Sequence, residues 1–87
     1  MRTMSTTAIY RTQVSPVLAV STVLVREGGE RFYETTIVVS GTPLDGRRTA
    51  KKSDAGYEHD AAVDFARGKR DEHSVRCAFW TRAFAAA

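Results

Sequence analysis

Three groups of residues in this 87-residue chain have the types and spacing to do chemistry. The first is His59 with Asp60 and Asp64, an imidazole beside two carboxylates, the raw material of a general base or a metal site. On a helix, however, consecutive residues splay about 100° apart, so His59 and Asp60 diverge. Asp60 and Asp64 share a face but bring no third ligand. His59 stands beside Ala62, Val63 and Ala66 at the edge of an apolar stripe, so the simpler expectation is a packed histidine. His73, in a charged run, is expected in solvent.

The second group is basic. Arg47, Arg48, Lys51 and Lys52 stand against Asp45 alone, with Lys69 and Arg70 further along the chain. Such a loop can grip phosphates or an acidic protein surface, and Tyr33, Phe79 and Trp80 could stack bases on an exposed sheet face. No RNA-binding consensus pattern accompanies it. The following stretch, 54–73, is acidic, with Asp54, Glu58, Asp60, Asp64, Asp71 and Glu72, so the charge does not form one broad positive footprint. A solvated loop is the plain alternative.

The third group is Trp80 between Arg76 and Arg82. If the segment is a strand, all three share a side, the composition of an interface hot spot. Otherwise Trp80 covers the second face of a sheet beside Phe32 and Val25. Cys77 is the single cysteine, so no internal disulfide can form, and its neighbours Arg76 and Ala78 offer no base to activate it. It reads as a buried inert thiol in a reducing compartment. Gly28-Gly29, Gly41 and Gly46 match turns rather than a phosphate cradle, and no serine lies in a nucleophile elbow. The expectation is therefore a protein without catalytic residues, cofactor, metal or small-molecule substrate.

The elements that must position these groups hang on one stretch. Val17 to Ser40 reads as two apolar, β-branched runs around Gly28-Gly29, and a two-residue loop there pairs Glu27 with Glu30, Leu24 with Tyr33, Thr22 with Thr35, Val20 with Ile37 and Leu18 with Val39. That register gives one largely apolar face. The other face, pairing Val25 with Phe32 and Val23 with Glu34, is mixed. The like-charge pairs Glu27–Glu30 and Arg26–Arg31 oppose this register. They cost little at an exposed tip, whereas a slip by one residue would set Leu24 against Glu34 and forfeit about 1.5–3 kcal/mol per misplaced core side chain.

Around the hairpin, Ala8 to Val14 reads as an edge strand broken by Ser15-Pro16. Ser40 to Gly46 is turn chemistry, and residues 47–52 are a short strand or an extended arm. A helix follows over about 54–67, with Ser53 or Asp54 as N-cap, Tyr57, Ala61, Ala62, Phe65 and Ala66 as its buried stripe, and Gly68 beyond its end. Residues 74–82 alternate and predict a strand, and residues 1–7 and 83–87 read as tails. At 43% apolar and 26% charged residues the chain is neither disordered nor fibrous, so one small domain over 1–87 is expected. The fold class predicted is α+β: an antiparallel sheet of three or four strands built on the 17–40 hairpin, with one helix on its Leu18/Val20/Ile37/Val39 face.

The run from Tyr33 to Val39, then Pro43-Leu44-Asp45-Gly46, then Ala55 to Val63, resembles a class of small uncharacterised proteins of actinobacteria and their phages. The resemblance covers about residues 30–67. It implies a phage or mobile-element context and carries over no site residues. Together these readings lead to a non-enzymatic protein-interaction protein, a phage-type structural or accessory subunit that self-associates through its sheet edges or binds another protein. The alternative is nucleic-acid binding through the loop 47–52. A third is a phage-encoded inhibitor of a host defence complex, offering the acidic helix face as a nucleic-acid mimic. Apolar runs of only a few residues predict no membrane span, and the N-terminal segment lacks the apolar core of a secretory signal, so host cytoplasm or virion is the expected location.

Overall fold

The computed structural model describes residues 4–68 and 74–86, with the side chains of residues 74–77 outside the description. Its centre is the predicted hairpin. Strands β2 (Leu18–Glu27) and β3 (Glu30–Val39) pair antiparallel in the register set out above, from Leu18 opposite Val39 to Glu27 opposite Glu30. Gly28 and Gly29 close the loop at φ 58° and 86°, the left-handed region that a two-residue turn matching the strands' twist requires and that glycine enters without a Cβ clash.

Strand β1 (Met4–Gln13) pairs antiparallel with β2 along its whole length, three times the extent of a short edge. Residues 4–7, expected in a tail, belong to it. On the other side of β3 lie two short strands, β4 (Thr42–Pro43), reached through the tight turn Ser40-Gly41, and β5 (Arg47–Thr49). The sheet is therefore ordered β1-β2-β3-β4, with β5 also on β3, and the architecture is the predicted α+β.

Helix α1 (Lys52–Ala66) begins two residues earlier than the sequence suggests. Lys51 is its N-cap and makes no side-chain capping bond, while Asp54 supplies the negative charge of the first turn. Gly68, at φ 86°, donates its N–H to the Phe65 carbonyl and ends the helix as expected. Of the predicted buried stripe, Ala61, Ala62 and Phe65 are buried and Ala66 packs at the edge of the core, but Tyr57 is 66% exposed, and Ala55, Glu58, His59 and Val63 face inward as well. The reason is that polar groups on the sheet, described below, receive Glu58, which apolar periodicity assigns to the surface, and His59, which it places at the edge of the stripe.

The clearest correction concerns the C-terminal segment. Residues 74–82 are not a strand, and residues 83–85 are not a tail: both belong to helix α2 (Ser74–Ala85). The alternation that suggests a strand spans few residues. Against it stand an alanine-rich composition without glycine or proline and the i, i+3, i+4 spacing of Trp80, Ala83 and Phe84. That spacing presents one apolar stripe, which α2 lays against α1.

The core lies between the two helices and one face of the sheet. Val20 and Ile37 from the hairpin meet Ala62, Val63 and Phe65 of α1 and Trp80 and Ala83 of α2, with Leu18, Val39 and Leu44 packed around them. Trp80 and Phe79 meet edge to face at 4.8 Å between centroids, and Phe65 and Phe84 at 5.6 Å. Among the described residues no helix is long and apolar enough to cross a membrane.

Candidate functional site

The sheet is covered unevenly. Its helix-side face packs under α1 and α2 over β2 and β3, but β1 overhangs, with eight of its ten residues exposed. A β-bulge between Ala8 and Tyr10 shifts the alternation by one residue. Ser5 and Thr7 before it, and Tyr10 and Thr12 after it, consequently all pair with helix-side residues of β2. Without the bulge Tyr10 and Thr12 would turn to the opposite face.

What ties β1 to the helix layer is His59. Its Nε2 lies 2.9 Å from the Thr12 hydroxyl and its Nδ1 2.8 Å from the Thr22 hydroxyl, which in turn lies 2.9 Å from that of Thr35. The Tyr10 ring sits against the imidazole at 5.5 Å. Thr22 and Thr35 are fully buried, so this chain of hydroxyls satisfies polar groups that water cannot reach. Burial pushes the His59 imidazole below its ordinary pKa, and the neighbouring Asp60 carboxylate opposes the shift. A hydroxyl held on a histidine suggests a nucleophile and its base, but the group behind the ring here is another hydroxyl. No carboxylate hydrogen-bonds the ring, and burial outweighs the support that the Asp60 charge gives an imidazolium. The arrangement is a polar clasp between β1, β2, β3 and α1. The sequence reading of His59 as a packed helix-edge histidine locates the residue but misses its partners, which lie 37 and 47 positions away along the chain.

The basic group does not act as one. Arg47 and Arg48 are adjacent on β5 and point to opposite faces of the sheet. Arg47 lies on the helix side, 5.1 Å over the Phe79 ring and 3.5 Å from Oε1 of Glu58, whose side chain is 5% exposed. Arg48 lies on the open face, stacked 4.4 Å over Phe32 and donating to Glu34 at 3.0 Å. Both arginines are thus engaged within the chain, Arg48 with 67% of its side chain still exposed, and Lys51 and Lys52 stand exposed at the start of α1. Lys69, Arg70 and His73 lie outside the described residues. The acidic helix face is interrupted in the same way: Asp60 is exposed, but Glu58 is turned inward.

Trp80 is fully buried in the core, so it is neither a surface anchor nor a cover for the second sheet face. In α2 it stands two positions, about 200° around the helix, from the exposed Arg82. The trio with Arg76 therefore loses the common side that a strand would give it. The side chains of Arg76 and Cys77 lie outside the described residues.

The open face of the sheet, beneath the Arg48–Phe32 stack, carries Thr6 and Ala8 of β1 with Val23, Val25 and Val38. Val25 is already buried there and Val23, Phe32 and Val38 are half-buried, so it offers little free apolar area. The least satisfied surface is the outer edge of β1. It is a ten-residue row of main-chain groups on one side of the sheet, from Met4 to Gln13, carrying Arg11 as its one charge and no proline. Compared with known proteins, the chain matches no family model, no curated protein and no solved structure.

Proposed function

We propose that this chain is a small non-catalytic protein-interaction subunit, of the structural or accessory kind its resemblance to phage proteins implies, and that it binds by adding a strand to the edge of its sheet. The observation that carries this reading is β1. A strand of ten residues that buries almost nothing on either face adds little to its own domain's core, yet it pairs with β2 from Met4 to Gln13 through one bulge and is braced by His59. Edges left bare in this way attract other strands, and proteins that do not use them shorten, charge or cover them. β-strand addition supplies affinity through main-chain hydrogen bonds and asks little of the side chains, which suits the Ser-Thr-Thr-Ala sequence of residues 5–8.

The nucleic-acid alternative draws less support, because Arg47 and Arg48 diverge and are paired internally. The test that separates the two readings is a titration of labelled single-stranded and duplex oligonucleotides at about 50 and about 200 mM salt, with wild type and Arg47→Ala/Lys51→Ala. The expected outcome is no binding that weakens steeply with salt and no effect of the substitutions. Steep salt dependence lost in the variant would replace the interaction reading with a nucleic-acid one.

A further inference from the structure

Resting on the edge-pairing reading above, we infer that the strand which occupies β1 is β1 of a second copy of this chain. The two strands run antiparallel across a two-fold axis at Thr6 and join the two sheets into one. The first argument is charge. Two-fold pairing sets a strand against its own sequence, so any charge near the axis meets its like. From Met4 to Tyr10 there is none. With the axis at Thr6, on the regular stretch before the bulge, Met4 faces Ala8, Ser5 faces Thr7 and Thr6 faces itself, each pair on one face of the joined sheet. Arg11 falls beyond this block rather than against the other Arg11. Arg26 and Glu27 stand on β2 beside Ser5 and Met4, with β1 between them and the seam, and their partners Arg31 and Glu30 lie one strand further away.

The second argument is space. α1 rides over β2 and β3 and stops short of β1, where Tyr10 is still 36% exposed. Strands spaced about 4.8 Å apart would put the two α1 axes roughly 19 Å from each other across the seam, well beyond the 8–10 Å of packed helices. Among the described residues no strand pairs with the outer edge of β1, and the residues at the axis, Ser5 to Ala8, are small on both faces. The third argument is area. The five paired residues, an edge of about 17 Å and roughly 10 Å thickness, bury on the order of 170 Å² per copy, well below the standard interface. The association is therefore reversible and concentration-dependent, as an assembling subunit requires.

The experiment is solution mass by light scattering over an approximately hundredfold concentration range reaching the millimolar, on wild type, Thr6→Lys/Thr7→Lys and Thr6→Glu/Thr7→Glu. Far-ultraviolet circular dichroism serves as the fold control. Wild type is expected to rise from one chain toward two and to persist in moderate salt. Each variant is expected to stay at one chain with an unchanged spectrum, and an equimolar mixture of the two to recover the two-chain mass. A wild type that remains one chain throughout overturns self-pairing but leaves strand addition with another protein standing. A two-chain mass that neither variant weakens overturns both the seam and the edge reading. Should the variants lose their fold, hydrogen exchange of wild-type β1 amides at low and high concentration decides. Protection of residues 4–8 that rises with concentration is required, and its absence overturns the inference.

Discussion

Replacing His59 with alanine tests the claim that the imidazole clasps β1 to the rest of the domain. The substitution removes two hydrogen bonds, to Thr12 and Thr22, and empties the volume of a 6%-exposed ring that also faces Tyr10. Each bond contributes about 1 kcal/mol net, and the cavity left by a buried ring adds a further 1–2 kcal/mol, for a total of roughly 3 kcal/mol. Thr22 keeps its bond to Thr35, which holds the figure down. A domain of 87 residues has about 4–13 kcal/mol of stability in all, so the variant should remain folded but lose roughly 12–24 °C in Tm. Urea unfolding measures the total, and native-state hydrogen exchange shows where it falls. Exchange should accelerate first in Met4–Gln13, because Thr12 and Tyr10 are that strand's ties to α1. A loss below about 1 kcal/mol, or acceleration spread evenly over the sheet, would refute the clasp.

The same residue sets a pH dependence whose sign is fixed. Because burial lowers the folded-state pKa of His59, the unfolded chain takes up the proton near pH 6.5 while the folded chain still resists it. In that window the unfolded state binds more protons, so stability rises with pH. The contribution is fully present above about pH 6.5 and is lost as pH falls through the lower folded-state value. The difference between wild type and His59→Gln isolates this from other titrating groups. Stability of the wild type should decline more steeply on acidification from pH 7.5, and identical profiles would exclude a buried neutral imidazole.

Other consequences are equally direct. Trp80 is the chain's single tryptophan, so its fluorescence should be blue-shifted and poorly quenched by iodide, and Trp80→Ala should cost about 3–5 kcal/mol in urea unfolding. Gly46→Ala should destabilise by about 1–3 kcal/mol, since a Cβ there would meet Glu34 Cγ at 2.7 Å and Thr36 Oγ1 at 2.8 Å. Gly56→Ala, in open space within α1, should stabilise by about 0.5–1 kcal/mol in the same assay. Arg47→Ala should cost about 1–3 kcal/mol through its lost ion pair and ring contact, whereas Lys51→Ala and Lys52→Ala should stay within about 0.5 kcal/mol.

How far the sequence reveals this molecule depends on the range over which each residue's environment is set. The hairpin is legible to the residue, because its register follows from a glycine pair and the period-two pattern of its own twenty flanking positions, all local information. The end of α1 at Gly68 is legible for the same reason. α2 is not: the alternating stretch 74–82 satisfies a strand template and a helix template at once, and only packing on α1 decides between them. That one ambiguity then propagates, because the side on which Trp80 stands, and with it the proposed surface anchor, follows from the choice of period. The candidate site shows the opposite failure. Its residues, His59 and the threonines Thr12, Thr22 and Thr35, lie far apart in sequence, and what makes them a unit is a bulge that turns β1 by one residue so that Tyr10 and Thr12 face α1. A bulge has no sequence signature as strong as Gly-Gly. The nearest signal is the excess of threonines at helix-side hairpin positions, Thr22 opposite Thr35 in the middle of an otherwise apolar face. A buried threonine pair in such a place calls for a polar partner from the layer above, and His59, read as sitting at the edge of the apolar stripe, is the polar side chain of α1 that the structure brings down onto it.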